Sequence, residues 1–142
     1  MPACALAAAT LIRLGGFIVL VKKKQPIICR FTGIQLPLYW RLPGGSGEPS
    51  EYPKDCAWRE ILEETGLRIP LELLNEFFIA QKRDGHRQHF YETKLLFRPW
   101  INSLVGETEH EIVGLFTPEY AREIDMMPLH RTMMDAMLEA NL

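Results

Sequence analysis

Three glutamates, Glu60, Glu63 and Glu64, stand within five positions of one another in the segment REILEETGL. In a helix these side chains share one arc of about 100°, and like charges spaced three and four residues apart destabilise an isolated helix. Clustered carboxylate oxygens are the hard ligands that Mg²⁺ and Mn²⁺ prefer, so a bound cation would turn the repulsion into binding. The spacing therefore predicts a divalent cation site on one helix face.

The helix that must carry these glutamates is predicted over residues 53–65. Pro53 suits the first helical position, and Gly66 is placed to close the helix in a left-handed turn. Tyr52 precedes the proline, where Ser, Thr or Asp would bond the free amide groups better. An apolar arc beside the carboxylates should pack on a sheet. It comprises Ala57, Trp58, Ile61 and Leu62.

The residues around this helix favour a functional role over a solvated acidic face. A Gly-Gly pair, Gly44 and Gly45, lies just upstream, and Glu51 sits where its side chain could reach Arg59. Cys56 is expected to be a small buried side chain, with sensitivity of the site to oxidation as the alternative.

Apolar runs between turn residues predict the strands. We expect them at residues 4–12, 16–24, 71–80, 89–98 and 111–116, with a strand fragment at 27–31 inside a long loop. The first two flank a Gly-Gly pair and should form a buried antiparallel pair. The strand within 71–80 should begin irregularly, and a polar turn containing Asp84-Gly85 should lead to the strand that follows it.

Two further helices complete the predicted fold. Thr117 and Pro118 suit the start of a short helix, and residues 128–140 form an amphipathic pattern. The apolar face expected to pack on the body is Leu129, Met133, Met137 and Ala140. Strands combined with a central and a terminal helix predict an α/β domain with helices flanking a sheet.

The composition is typical of a globular protein. The 142 residues, 47% of them hydrophobic, suffice for one core, so we expect a single domain over residues 1–142. A net charge of −2 gives no general attraction to nucleic acid or to an anionic membrane. Three widely spaced cysteines suit reduced thiols, and no stretch predicts a signal peptide or a membrane span. These features favour the cytoplasm.

The segment from residue 45 to residue 67 matches the Nudix box, G-x5-E-x7-R-E-U-x-E-E-x-G-U, at every fixed position. The matching residues are Gly45, Glu51, Arg59, Glu60, Ile61, Glu63, Glu64, Gly66 and Leu67. The chain therefore resembles the Nudix hydrolases, including the MutT-like ones. Similarity of pattern extends to the first strands, to YWRLPGG and to the last helix. The resemblance implies an α/β/α sandwich around a mixed β-sheet.

The resemblance also implies an activity and its residues. Nudix hydrolases cleave the pyrophosphate of a nucleoside diphosphate linked to another moiety, using Mg²⁺, for which Mn²⁺ is a possible substitute. The implied metal ligands are Glu60, Glu63, Glu64 and the carbonyl of Gly45. Arg59, paired with Glu51, is expected to orient the glutamates rather than to touch substrate.

A glutamate after the box is expected to bind metal or to act as the general base. Glu107, Glu109 and Glu111 lie just before, or at the start of, the strand 111–116. Glu111 is favoured and Glu109 is second, with surface charges of a turn as the alternative. Glu60 is the other candidate for the base.

Substrate contacts are predicted outside the box. The candidates are Trp40 and Tyr91, which could stack on a nucleobase, and Arg83 and Arg87, which could bind phosphate or a base edge. Core packing is the expectation for Phe78 and Phe90 on the neighbouring strands, and a solvated hairpin tip is the alternative for the basic residues.

The substrate expected from the resemblance is a nucleoside triphosphate, damaged ones included, giving a nucleoside monophosphate and pyrophosphate. The SQPWPFPxS array of NADH-cleaving relatives is absent, and Arg83 stands where ADP-ribose hydrolases tend to carry proline. Dinucleoside polyphosphates, ADP-ribose and 5′-capped RNA remain alternatives, as does a protein that binds nucleotides without catalysis. We expect a small-molecule partner, no membrane, no long nucleic acid, and a monomer or a homodimer.

Overall fold

The computed structural model of the protein describes residues 6–29, 32–35, 37–82 and 85–140. The strands in these ranges are β1 (Leu6–Leu14), β2 (Phe17–Lys23), β3 (Gly44–Ser46), β4 (Asn75–Gln81), β5 (Arg87–Leu95) and β6 (Glu111–Phe116). The helices are α1 (Pro53–Thr65), α2 (Phe97–Trp100), α3 (Pro118–Ala121) and α4 (Pro128–Ala140), with 3-10 turns at Leu71–Leu73 and Ile101–Ser103. None of the helices in the described ranges has the length and apolar character needed to cross a membrane.

The strands form one mixed sheet in the order β4-β5-β1-β2-β6, with β3 paired to the beginning of β1. β1 and β5 run parallel, whereas the other pairs are antiparallel. Helix α1 packs its buried Ala57 and Ile61 into the core on one face of the sheet. Helix α4 packs Met134 and Met137 into the core on the other face. The predicted α/β fold, a sheet between helices, is confirmed.

Helix α1 begins and ends where the sequence predicts. Tyr52 makes no side-chain capping bond, and Gly66 closes the helix at φ +81°, donating its N–H to the carbonyl of Leu62. Cys56 is fully buried and joins the predicted arc in the core. Trp58 is only half-buried at the edge of that core. The smaller side chains of the arc therefore anchor the helix.

The strand bounds differ from prediction by a few residues at several ends, and β3 was not predicted. β5 ends at Leu95 rather than at 98, because its parallel partner β1 ends opposite it and the chain turns at Gly15. Pro99, which cannot donate a ladder hydrogen bond, follows in α2. The predicted fragment at 27–31 is described only in part, and there it forms one isolated bridge between Ile28 and Gln35.

Helix α4 has the predicted bounds but a different buried face. The buried residues are His130, Met134, Met137 and Leu138. Leu129 and Met133 only border the core, and Ala140 is exposed, so the predicted face was wrong by about one residue. His130, which was not among the residues predicted to be buried, has a backbone partner inside the fold, the N–H of Leu42. A polar residue with a partner can be buried.

Gly44 should be important for stability, because β3 lies in close backbone contact with β1 at this position. A Cβ at Gly44 would lie 2.0 Å from the carbonyl oxygen of Ala8. We expect Gly44→Ala to lower the free energy of unfolding by at least about 3 kcal/mol, since neither backbone can yield. Urea denaturation measures this, with Gly106→Ala as the control, because a Cβ there meets nothing within 4 Å. Equal stability of the two variants would contradict the close contact between Gly44 and the backbone of β1.

Candidate active site

Gly45 brings the loop before the helix against the first of the three glutamates. It pairs with Ala8 of β1, and the strand β3 that contains it contacts α1. A Cβ at Gly45 would lie 2.8 Å from the Glu60 carboxylate, so any other residue here would displace that carboxylate. The Gly45 carbonyl accepts a long hydrogen bond from the Cys56 thiol at 3.5 Å. The predicted carbonyl ligand and the Glu60 carboxylate thus lie on neighbouring elements.

Arg59 pairs with Glu51, as the sequence suggested. Its Nε and Nη2 donate to the two Glu51 oxygens at 2.9 and 3.0 Å. Its Nη1 donates to Glu60 at 3.0 Å and lies 3.3 Å from Glu63. The hydrogen bonds between Glu51 and Arg59 raise the pKa of the guanidinium and lower the pKa of the carboxyl. Arg59 therefore lies between Glu51, which anchors it, and two of the clustered glutamates.

Arg41 is a site residue that the sequence analysis missed. Its Nη2 donates to Glu64 at 2.7 Å and to Glu111 at 2.9 Å, and its Nη1 donates to the Gly44 carbonyl at 2.9 Å. Its side chain is 11% exposed. The partners are 23 and 70 residues away along the chain, so the only local signal was a basic residue just before the Gly-Gly pair. Arg41 joins a helix glutamate to a strand glutamate.

Glu111 is the downstream glutamate that the fold brings to this cluster. It is 4% exposed, and besides Arg41 it pairs with Lys23 Nζ at 3.0 Å. Its Oε2 is buried and has no hydrogen-bond partner among the described residues. Glu107 and Glu109 are largely exposed and pair with Lys24 and His110 instead. Of the three glutamates weighed from the sequence, Glu111 has the position expected of a site residue.

The carboxylates of the cluster differ in burial. Burial raises the pKa of Glu64 to about 7, although its bonds to Arg41 and to the Gly44 N–H, both 2.7 Å, act against this. Burial also raises the pKa of Glu60, whereas the side chain of Glu63 is more than half exposed. The site therefore combines two desolvated carboxyls with one that faces solvent.

The oxygen atoms of this cluster are of the kind that binds a hard divalent cation, although in the described residues arginine side chains pair with the carboxylates. Within the described ranges, no three His, Cys, Asp or Glu side chains surround a common point as ligands. Two guanidinium groups, those of Arg41 and Arg59, occupy the carboxylates instead. Carboxylates and a backbone carbonyl are the oxygens that Mg²⁺ and Mn²⁺ take, and the partnerless Glu111 oxygen is a buried acceptor of this kind. A cation would complete the coordination of these oxygens.

A cavity of about 440 Å³ lies beside the cluster. Arg41, Gly45, Glu60 and Glu64 belong to its lining. It is also lined by Lys23, Ile27, Lys82, Gln88, Met127 and His130. The carboxylate cluster therefore borders a space of ligand size that carries cationic, apolar and neutral polar groups.

The described residues that were predicted for substrate contact do not line this cavity. Trp40 packs edge-on against Phe116 at 4.8 Å, in a separate hollow. Tyr91 is 4% exposed in the core below α1, where burial raises its pKa to about 12. Tyr91 therefore packs in the core on the α1 face of the sheet, and Trp40 is partly buried against the core on the α4 face. Arg87 is exposed and is not among the cavity residues, and Arg83 lies outside the described residues.

Binding of Mg²⁺ is expected to strengthen as the pH rises through neutrality. Without a cation, the raised pKa of Glu64 makes the fold less stable as the pH rises from about 4.5 towards 7. A cation must release the remaining proton from Glu64. The gain in Tm from a fixed Mg²⁺ concentration should therefore be larger at pH 8 than at pH 6. Scanning fluorimetry measures it, and a gain independent of pH would contradict a role for Glu64.

Comparison with known proteins agrees with this geometry. The NUDIX domain family matches residues 5–137. A protein of Bacillus subtilis (strain 168) named "Putative 8-oxo-dGTP diphosphatase" is 40% identical over 57 residues, which are 40% of this chain and 37% of that protein. Human "Diphosphoinositol polyphosphate phosphohydrolase 3-alpha" is 29% identical over 84 residues, which are 58% of this chain and 51% of that protein. The matches thus span about half, or less, of these curated relatives.

Solved structures show the same fold. The solution structure of the E. coli ORF135 protein matches with a TM-score of 0.67 at 20% identity, over 96% of this chain and 89% of that one. This likeness supports the fold alone, whereas the family match extends over nearly the whole chain and includes the complete box. The chain belongs to the Nudix family.

Proposed function

We propose that the protein hydrolyses a pyrophosphate bond in a nucleoside diphosphate linked to another moiety, with Mg²⁺ or Mn²⁺ as cofactor. The observation that supports this best is the bridge that Arg41 makes between Glu64 and Glu111. It brings a glutamate from a distant strand to the box glutamates, beside a cavity of ligand size. An acidic helix face without a function would not require such a partner.

The chemistry suits these residues because a pyrophosphate is polyanionic and repels a nucleophile. A bound divalent cation supplies charge neutralisation at the phosphate oxygens and lowers the pKa of water. The residues that would hold it are Glu60, Glu63, Glu64, Glu111 and the carbonyl of Gly45. Arg59 would orient Glu60 and Glu63 through its hydrogen bonds to both.

Glu60 is better placed than Glu111 to accept a proton from the attacking water. Glu60 lines the cavity, whereas Glu111 is absent from its lining and has one oxygen fully buried. We therefore assign Glu60 as the general base and Glu111 as a metal ligand.

The proposed substrate is a nucleoside triphosphate, including one with a damaged base, cleaved to a nucleoside monophosphate and pyrophosphate. One curated relative is named for 8-oxo-dGTP, which agrees with this class. Another is named for diphosphoinositol polyphosphates, which also contain a phosphoanhydride. The apolar and neutral polar side chains in the cavity, such as Ile27 and Gln88, favour a base over a polyphosphorylated ring.

The test is a substrate panel with Mg²⁺ that contains nucleoside triphosphates, oxidised nucleotides, ADP-ribose, diadenosine polyphosphates, capped RNA and a diphosphoinositol polyphosphate. Products are separated by anion-exchange chromatography. Glu63→Gln is assayed alongside, with the exposed Glu72→Gln as the matched control. Monophosphate and pyrophosphate from a triphosphate, lost in Glu63→Gln only, would support the proposal. Turnover of another class alone would refute the substrate, and nucleotide binding without turnover would indicate a binding protein.

A further inference from the structure

Two buried polar side chains of the cavity take no part in the proposed hydrolysis. His130 is 6% exposed and Gln88 is 7% exposed, and both belong to the lining. His130 Nδ1 accepts a hydrogen bond from the Leu42 N–H at 3.0 Å, whereas its Nε2 has no partner among the described residues. The Gln88 amide likewise has no hydrogen-bond partner in the described part of the chain. Both side chains therefore have unused hydrogen-bonding capacity beside the cavity.

The environment of His130 determines which group its ring can offer. Because Nδ1 accepts from Leu42, the neutral ring carries its hydrogen on Nε2. Burial, with the positive charges of Arg41 and Lys82, lowers the pKa of His130 to about 3, so the ring stays neutral. Phe90 packs edge-to-face against it, with the centroids 5.7 Å apart. His130 is therefore a hydrogen-bond donor at Nε2, held in one tautomer.

The surroundings favour a planar, polar-edged ligand group. Ile27 and Met127 contribute apolar surface to the same cavity, and both are partly exposed at 50% and 38%. A side-chain amide such as that of Gln88 can donate and accept together, which matches the edge of a nucleobase. An inositol polyphosphate would require cations at these positions, where His130 and Gln88 are neutral.

We propose that His130 and Gln88 are the base-selecting residues of this site: His130 Nε2–H donates to an oxo group on the base, and the Gln88 amide bonds the adjoining edge. This inference rests on the proposed nucleotide substrate. An amino group of the base at the same place would point its own N–H at the Nε2–H of His130, and that donor would then have no acceptor. The site should therefore prefer an oxo-bearing base over its amino counterpart, whereas Gln88 can turn its amide to suit either.

The experiment measures equilibrium binding of nucleotide pairs that differ by an oxo-to-amino exchange. The probes are α,β-methylene analogues of ITP and ATP, and of UTP and CTP, titrated in Mg²⁺ by calorimetry. We expect the wild-type protein to bind the oxo member of each pair about tenfold more tightly, the worth of one buried hydrogen bond. In His130→Asn the preference should fall to near unity.

Asparagine is chosen at position 130 so that a loss of base selection can be distinguished from a loss of stability. Its side-chain oxygen can take the place of Nδ1 and accept from Leu42, whereas its NH₂ group lies nearer the backbone and does not reach the position of Nε2. The Tm of His130→Asn should therefore stay close to that of the wild type. Gln88→Leu should weaken the binding of both nucleotides of a pair by a similar factor. His110→Asn, at an exposed position outside this cavity, is the matched control and should keep the preference.

The outcomes distinguish this inference from the proposed activity. An oxo preference that His130→Asn abolishes supports the inference, even if the substrate panel shows no hydrolysis and so refutes the activity. Hydrolysis of nucleotides without an oxo preference, or with a preference that His130→Asn retains, overturns the inference and leaves the activity standing. Failure of the wild-type protein to bind any of the four analogues also overturns it.

Discussion

Replacement of Glu60 by glutamine is expected to lower kcat by about 10³-fold in saturating Mg²⁺, which corresponds to about 4 kcal/mol of transition-state stabilisation. Glu60 lines the cavity, lies against Gly45 and is hydrogen-bonded to Arg59. Glutamine keeps the size of the side chain but can neither bind a cation as strongly nor accept the proton. Steady-state kinetics on the substrate found in the panel measures the loss.

A second measurement on Glu60→Gln, its Tm, shows whether a loss of activity comes from a loss of stability. Because burial raises the pKa of Glu60, its charged form is costly in the cation-free fold. The Tm in EDTA should therefore be unchanged or higher, while the Tm gain from Mg²⁺ should shrink. Glu72→Gln, on an exposed turn, should retain both activity and the Mg²⁺ effect. Full activity of Glu60→Gln would remove this residue from the mechanism.

Replacement of Arg41 by leucine is expected to lower the free energy of unfolding by about 3 kcal/mol or more when no cation is present. The change leaves Glu64 and Glu111, which are 8% and 6% exposed at the side chain, without their guanidinium partner. Removing one member of a buried ion pair typically costs this much, because the remaining charge is uncompensated. Urea denaturation in EDTA measures the difference.

Mg²⁺ should restore part of the stability that Arg41→Leu loses, since a cation replaces the missing positive charge beside the same carboxylates. Arg68→Leu is the matched control, because Arg68 is exposed and should change the free energy of unfolding by no more than about 0.5 kcal/mol. If Arg41→Leu were as stable as Arg68→Leu in EDTA, the bridge between the two glutamates would not contribute to folding. If Arg41→Leu lost the same free energy of unfolding with and without Mg²⁺, Arg41 would not be coupled to the cation site.

The sequence by itself determined the helix of the site and the family. The bounds of α1, the left-handed turn at Gly66 and the pairing of Arg59 with Glu51 follow from residues at most a few turns apart. Fixed spacing in one helix and its loop fixes which side chains can meet, so the box could be interpreted without the rest of the chain. The strand pair around Gly15-Gly16 and the strand 111–116 were likewise local patterns of apolar residues.

Only the tertiary structure decided what surrounds that helix. The contacts of Arg41 with Glu111, and of His130 with Leu42, join residues 70 and 88 positions apart. Periodicity identifies an apolar stripe, but it does not reveal the backbone partner that lets a histidine be buried in α4. Trp40 was predicted from the sequence as a site residue and its neighbour Arg41 was not, yet only Arg41 lines the cavity. Successive side chains in an extended segment point to opposite sides, and the packing of the sheet determines which side holds the site.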